Sequence, residues 1–128
     1  MLHISRKDLV QSIQPGRICS VAVSPSDKEN VDGMLAAFAV FSYKYGKMDS
    51  HYHENEYMYI IDAKDATVSY GMDLNHLKTE PLKAGEIIRP VTNEWHRFDF
   101  GSEEGYADFI NFFPAFPPHT VNSSDFDK

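Results

Sequence analysis

The sequence predicts an all-β domain of the sandwich or barrel type. Seven tyrosines and nine phenylalanines occur among the 128 residues, with few blocks of strong helix formers, and this composition favours strands. Apolar and polar residues alternate in many short segments, which turn residues separate at close spacing. Neither a repeat nor a change of composition divides the chain, so we expect a single domain over residues 1–118 and a loose tail over residues 119–128.

The first part of the chain is predicted to form a short helix and two strands. Ser5 can cap a short amphipathic N-terminal helix over residues 5–13, which Pro15 would end. Residues 17–24 alternate in polarity and predict the first strand. Residues 34–45 are apolar, β-branched or aromatic without a helical stripe, and they predict a long second strand.

The rest of the chain is predicted to be a series of short strands. Each contains aromatic or β-branched residues and lies between turn-forming residues such as glycine, proline, asparagine and aspartate. The predicted strands cover residues 57–61, 66–70, 86–89, 94–100 and 106–113.

Charge and composition argue against several classes of partner. The formal net charge of −7 argues against nucleic acid and anionic membranes, because both bind basic surfaces. The N-terminus carries charges where a signal peptide needs an apolar stretch, and no apolar run reaches membrane-spanning length. Cys19 is the only cysteine, which rules out an internal disulfide and is compatible with a reducing compartment. We therefore expect a cytoplasmic protein that binds neither nucleic acid nor membrane.

Two histidines form the most informative pattern in the chain. His51 and His53 are two residues apart, so in an extended segment their imidazoles share one face and can reach one metal ion. Carboxylates follow directly at Glu54 and Glu56. A further ligand has to come from elsewhere, and His96 is the best candidate because it follows a glycine–proline turn and lies in a predicted strand.

Two segments resemble the conserved motifs of the cupin superfamily. The first covers residues 46–71, begins and ends with glycine, and contains His51-x-His53 and Glu56. The second covers residues 85–96, with a glycine at its start, a proline in the middle and a histidine at its end. Together with their spacer, the two motifs span the part of a cupin that carries its site.

The resemblance implies a cupin-type jelly-roll β-barrel with a divalent transition metal inside. The implied ligands are His51, His53, Glu56 and His96, and this donor set suits Mn, Fe, Co, Ni or Zn. Only two residues separate His53 from Glu56, fewer than the family usually has. We therefore expect a kink at residues 54–55 that turns Glu56 inward with the apolar residues of its strand. Without that kink, the site would consist of the three histidines alone.

The function implied by the resemblance is that of a metal-dependent enzyme acting on a small polar molecule. A sugar or keto acid isomerase or lyase needs a general base near the metal, for which Tyr43, Tyr59 and Glu54 are candidates. A dioxygenase needs less protein machinery, since the metal carries the reaction. The alternative function is a non-catalytic cupin module that binds a small molecule.

The resemblance also implies a homodimer. Cupins commonly pair through edge strands, because an unpaired edge offers hydrogen-bonding groups to a second chain. The predicted strands over residues 17–24 and 106–113 are candidates for such exposed edges.

Overall fold

The computed structural model describes residues 3–27, 33–114 and 117–126. Within these ranges the chain forms eleven β-strands and three short 3₁₀ turns. No helix in the described part of the chain is long and apolar enough to cross a membrane. In chain order the strands are β1 Gln11–Gln14, β2 Arg17–Val23, β3 Leu35–Phe41, β4 His51–Tyr52, β5 Tyr57–Lys64, β6 Ala66–Gly71, β7 Lys78–Pro81, β8 Ile87–Ile88, β9 Trp95–Phe100, β10 Tyr106–Phe113 and β11 Val121–Asn122.

The strands form two antiparallel sheets that share one core. The first sheet has the order β1-β2-β3-β10-β5-β8, and the second has the order β11-β4-β9-β6-β7. Phe98 on β9 stacks on Phe109 of β10 with ring centroids 5.1 Å apart, and it meets Phe41 of β3 edge-on at 4.8 Å. These contacts join the inner faces of the two sheets. The all-β class predicted from the sequence is confirmed.

The inner face of the first sheet follows the two-residue period of a strand. On β5, Met58 and Ile60 are buried, whereas Tyr57 and Tyr59, which alternate with them, are exposed. On β10 the residues at 107, 109 and 111 are buried, while their neighbours are only partly covered. The alternation predicted for the strand after the histidine pair is therefore confirmed.

The expected N-terminal helix over residues 5–13 is wrong. Only Arg6–Asp8 forms a single 3₁₀ turn, and β1 follows it as a strand paired with β2. Gly16 allows the tight connection between the two strands because its φ of +79° lies in the left-handed region. A helix of this length is marginal by itself. The side chains of Val10 and Ile13 are 88% and 72% exposed, so they gain little burial that could stabilise it.

Part of the C-terminal segment predicted as a loose tail over residues 119–128 forms a strand. Its strand β11 pairs with β4, and the Ser123 amide donates to the Ser50 carbonyl at 2.8 Å. A 3₁₀ turn over Ser123–Phe126 follows, and residues 127–128 lie outside the described part of the chain. β11 is thereby an outer strand of the second sheet, next to the strand that carries His51.

The strands expected at sheet edges lie inside the first sheet. β2 is flanked by β1 and β3, and β10 is flanked by β3 and β5. The expectation of exposed edges at residues 17–24 and 106–113 is therefore wrong. The alternation in a sequence shows that a segment suits a strand, but it does not show which neighbours the strand acquires. The outer strands of this sheet are β1 and β8.

Candidate metal centre

A cavity of about 630 Å³ lies between the inner faces of the two sheets. β3 lines it with the small side chains of Ala37 and Ala39, which leave open space. The second sheet contributes His51 and His96. The volume falls within the range of sites that bind small molecules.

The structure brings together the three histidines singled out in the sequence. His51 and His96 are directly opposite each other in the pairing of β4 with β9, and their ring centroids are 4.3 Å apart. The ring of His53 lies 5.4 Å from that of His51 and 4.9 Å from that of His96. One ring nitrogen of each lies within 4.8 Å of the others. Sheet pairing therefore supplies the convergence that a shared ion requires.

Hydrogen bonds to the backbone orient all three imidazoles. The Nδ1 atoms lie 3.1, 2.7 and 2.9 Å from the backbone oxygens of Asp49, Glu54 and Glu94 respectively. A carbonyl oxygen only accepts, so each Nδ1 carries the hydrogen and donates it. The Nε2 atoms are then left with lone pairs, which is the tautomer that binds a metal.

Glu56 lies beside the histidines and is buried. The chain bends at Glu54, between β4 and β5, as the short spacing to Glu56 requires. The Oε1 atom of Glu56 is 3.3 Å from Nε2 of His53, and its Oε2 accepts a 2.8 Å hydrogen bond from Asn111. The carboxylate therefore lies next to His53, while the three residues whose ligand atoms lie within 4.8 Å of one another are His51, His53 and His96.

The fold is shared with several solved structures. Neither a scan against protein-family models nor a search of curated proteins found a match. The chain is similar to polyketide cyclase RemF from Streptomyces resistomycificus, with 18% identity, a TM-score of 0.72, and coverage of 96% of this chain and 85% of that one. It is also similar to a structure titled Fe(II)-HppE with an alternative substrate, with 12% identity, a TM-score of 0.65, and coverage of 88% of this chain and 59% of that one. A third similar structure is an S161A mutant of oxalate decarboxylase OxdC of Bacillus subtilis, with 16% identity, a TM-score of 0.68, and coverage of 94% of this chain and 32% of that one.

The chain has the cupin fold. This confirms the fold class expected from the two motifs, apart from the helix replaced by β1. At these identities the comparisons establish the architecture, and the chemistry has to be argued from the residues of the cavity.

Burial lowers the pKa of two imidazoles in this cavity. His96 is 1% exposed, and burial lowers its pKa to about 3, with a further contribution from the adjacent His51. Burial also lowers the pKa of His51. Both rings are therefore unprotonated at neutral pH, as metal ligation requires. Among the described residues, Nε2 of His96 has no hydrogen-bond partner, which is a costly arrangement unless the atom binds something else.

His53 behaves differently because Glu56 faces it. Burial is the largest single influence and lowers its pKa, but the hydrogen bond and charge of Glu56, together with the backbone hydrogen bond to Glu54 and the Glu54 charge, raise the pKa overall. A carboxylate at this position favours a positive group next to Nε2, whether a proton or a metal ion. The donor set of this pocket thus fits a divalent cation.

The contribution of His96 to the stability of the metal-free protein should be lost as the pH falls below about 6.5. His96 stays neutral in the folded protein, but in the unfolded chain it takes up a proton near its ordinary pKa of 6.5. The folded state then binds fewer protons, so its contribution is complete above that pH and is lost progressively toward pH 3. Urea unfolding of chelator-treated protein at about pH 7.5 and about pH 5 measures the change. His96→Gln should reduce this difference in the free energy of unfolding between the two pH values. An equal difference in wild type and variant would contradict the role given to His96.

The three residues considered as general bases do not meet the histidines in the cavity. Tyr59 points to the outer face of the first sheet and is 42% exposed, because it alternates with the buried residues of β5. Tyr43 lies in a 3₁₀ turn, and its hydroxyl accepts a hydrogen bond from the Phe100 amide at 3.3 Å. Glu54 binds the backbone amide and the ring of His119 at 2.6 and 2.7 Å.

Asn111 and Arg17 also line the cavity, and the sequence did not predict them as site residues. Asn111 binds Glu56 from β10, and the alternation of Ala107, Phe109 and Asn111 could have indicated it as a polar residue at an inward position. Arg17 lines the cavity from β2. Its sequence context shows a strand but does not show that the strand lies across from the histidines.

Proposed function

We propose that this chain is a metal-dependent enzyme that acts on a small polar molecule. The observation that carries the proposal is the convergence of three imidazoles whose Nδ1 atoms are already bonded to the backbone. The cavity beside them is large enough for a small substrate. The proposed ligands are His51, His53 and His96, with Glu56 as the fourth.

Three imidazoles and a carboxylate suit Mn, Fe, Co, Ni or Zn better than Mg or Ca, which prefer oxygen ligands alone. A bound ion of this type can polarise a substrate oxygen, lower the pKa of bound water, or bind dioxygen if it is iron. The protein holds the imidazoles in one tautomer through their hydrogen bonds to the backbone. Asn111 orients Glu56 through its 2.8 Å hydrogen bond.

Among the reaction classes, oxygen-dependent chemistry has the better support. An isomerase or lyase acting on a sugar or keto acid needs a base next to the metal, and Tyr43, Tyr59 and Glu54 are all directed elsewhere. Glu56 could act as that base only if it does not ligate the metal. A dioxygenase makes no such demand. One structure with the same fold is described as an Fe(II) form, which supports testing iron first.

Purified protein with its metal content measured provides the test. We expect a bound divalent transition metal and substrate-dependent oxygen uptake with at least one member of a panel of small acids, thiols and sugars. Turnover of a sugar or keto acid without oxygen uptake would favour the isomerase or lyase. Protein that retains metal but turns over nothing would favour the alternative, a non-catalytic binding module. Protein purified without chelator that holds no metal would overturn the proposal.

We also propose a homodimer, formed through the outer face of the first sheet. Tyr59 lies opposite Ile87 on one side and Ile110 on the other, so large apolar side chains adjoin across three strands. Ile87 is 67% exposed, and an exposed apolar face of this kind is typical of a protein interface. Size-exclusion chromatography with light scattering should give twice the mass of one chain, and Ile87→Glu should give the mass of one. A wild-type monomer would contradict the proposal.

A further inference from the structure

Among the described residues, the cavity wall formed by β2 and β3 carries one charged side chain, while Lys47, Asp49 and Glu56 line the cavity elsewhere. β2 and β3 line this wall with aliphatic, aromatic and thiol side chains, and Arg17 is the exception. Cationic side chains in otherwise apolar walls serve to orient anionic ligands, because their charge is only weakly screened there.

The guanidinium of Arg17 is held in place by the hairpin from which it comes. Its two terminal nitrogens donate to the Pro15 carbonyl at 3.1 Å and to Oε1 of Gln14 at 2.8 Å. The guanidinium carbon lies 5.7 Å from the ring centroid of Phe41. A positioned planar cation of this kind loses little side-chain freedom when it binds a carboxylate.

Arg17 has no carboxylate partner among the described residues. By contrast, Arg6 is paired with Asp108 at 2.7 Å, and Arg97 with Asp99 at 2.9 Å. Arg17 is among the residues that line the cavity, and its guanidinium donates to neutral acceptors, the Pro15 carbonyl and the Gln14 side chain. An anion from outside the chain would satisfy it.

We infer that the substrate is a small carboxylic acid, with its carboxylate bound by Arg17 and its other polar group directed toward His51 and His96. This inference rests on the proposed function, because it assumes that the histidine centre is where the substrate reacts. Arg17 acts as a specificity-determining residue. It binds the end of the substrate that does not react, and the cavity between β3 and the histidines accommodates the rest.

The test compares glycolate, a two-carbon hydroxy acid, with glycolamide, its neutral analogue of the same shape. Calorimetric titration of Mn²⁺-loaded protein should show tighter binding of glycolate. Arg17→Gln should weaken glycolate binding about 10- to 100-fold, with little effect on glycolamide. A metal ion also prefers carboxylates, so the decisive quantity is the difference between wild type and variant. Arg17→Lys keeps the charge and should retain part of the preference.

Arg89→Gln is the matched control. Arg89 also stacks on an aromatic ring, that of Tyr57 at 4.8 Å, but on the opposite face of β5 from the cavity-lining Met58. Unchanged glycolate affinity in Arg17→Gln, or equal affinity of wild type for the two probes, would overturn the inference. Metal content measured on the same samples separates the two proposals. Loss of the metal site alone, with glycolate binding still dependent on Arg17, would reject the proposed function and leave the carboxylate site standing.

Discussion

Replacing His51 or His96 by alanine should abolish metal retention while the protein remains folded. Each substitution removes one of three convergent imidazoles, and we expect the two that remain, with Glu56, to bind a divalent ion too weakly to retain it through dialysis. We expect the metal content after purification to fall from about one ion per chain to nearly none. Elemental analysis gives the content, and circular dichroism with urea unfolding checks the fold.

His76→Ala is the matched control for these variants. His76 is exposed and binds Asp73 at 2.8 Å on the surface, so its removal should leave the metal content unchanged. Glu56→Ala should weaken metal binding less than either histidine variant, by roughly 10- to 100-fold, because three imidazoles remain. Full metal retention in both His51→Ala and His96→Ala would disprove the centre. If Glu56→Ala lost as much metal as the two histidine variants, Glu56 would be an essential ligand.

The metal centre could be anticipated because its geometry is largely local. His51 and His53 share a face through the two-residue period of an extended chain, and the bend before Glu56 follows from the number of residues between them. His96 is distant in sequence, and the glycine–proline turn before it, together with the resemblance to a known motif, indicated it. The register of β4 with β9, which places His96 opposite His51, is a property of the sheet.

The errors arose where tertiary pairing decides between two local possibilities. The apolar spacing of Val10 and Ile13 suits a short helix as well as a strand, and hydrogen bonds to β2 decide for the strand. The contacts of β11 with β4 similarly depend on a partner some seventy residues away. Arg17 could not be identified as a cavity residue from the sequence for the same reason. Its role depends on what lies across the cavity, which strand propensity does not encode.

Phe109→Ala should cost about 3–5 kcal/mol of the free energy of unfolding. Phe109 is fully buried at the centre of the first sheet, stacks on Phe98 at 5.1 Å and meets Phe41 edge-on at 5.5 Å. Removing the ring leaves a void between the two sheets and ends both aromatic contacts. A domain of this size has roughly 5–15 kcal/mol to lose, so the variant should unfold at a much lower urea concentration.

Phe126→Ala is the control, because it removes a phenyl ring that is exposed instead of buried. Phe126 is 67% exposed and contacts Trp95 at 6.0 Å from the C-terminal turn, so its removal should cost less than about 1 kcal/mol. Phe41 and Phe98 line the cavity, and Phe109 supports both from behind. The Phe109→Ala variant should therefore still bind metal when it is folded, because the histidines are attached to β4, β9 and the bend after β4. If the free energy of unfolding of Phe109→Ala were within about 1 kcal/mol of the wild-type value, the sheets would have to be joined by contacts other than this aromatic cluster.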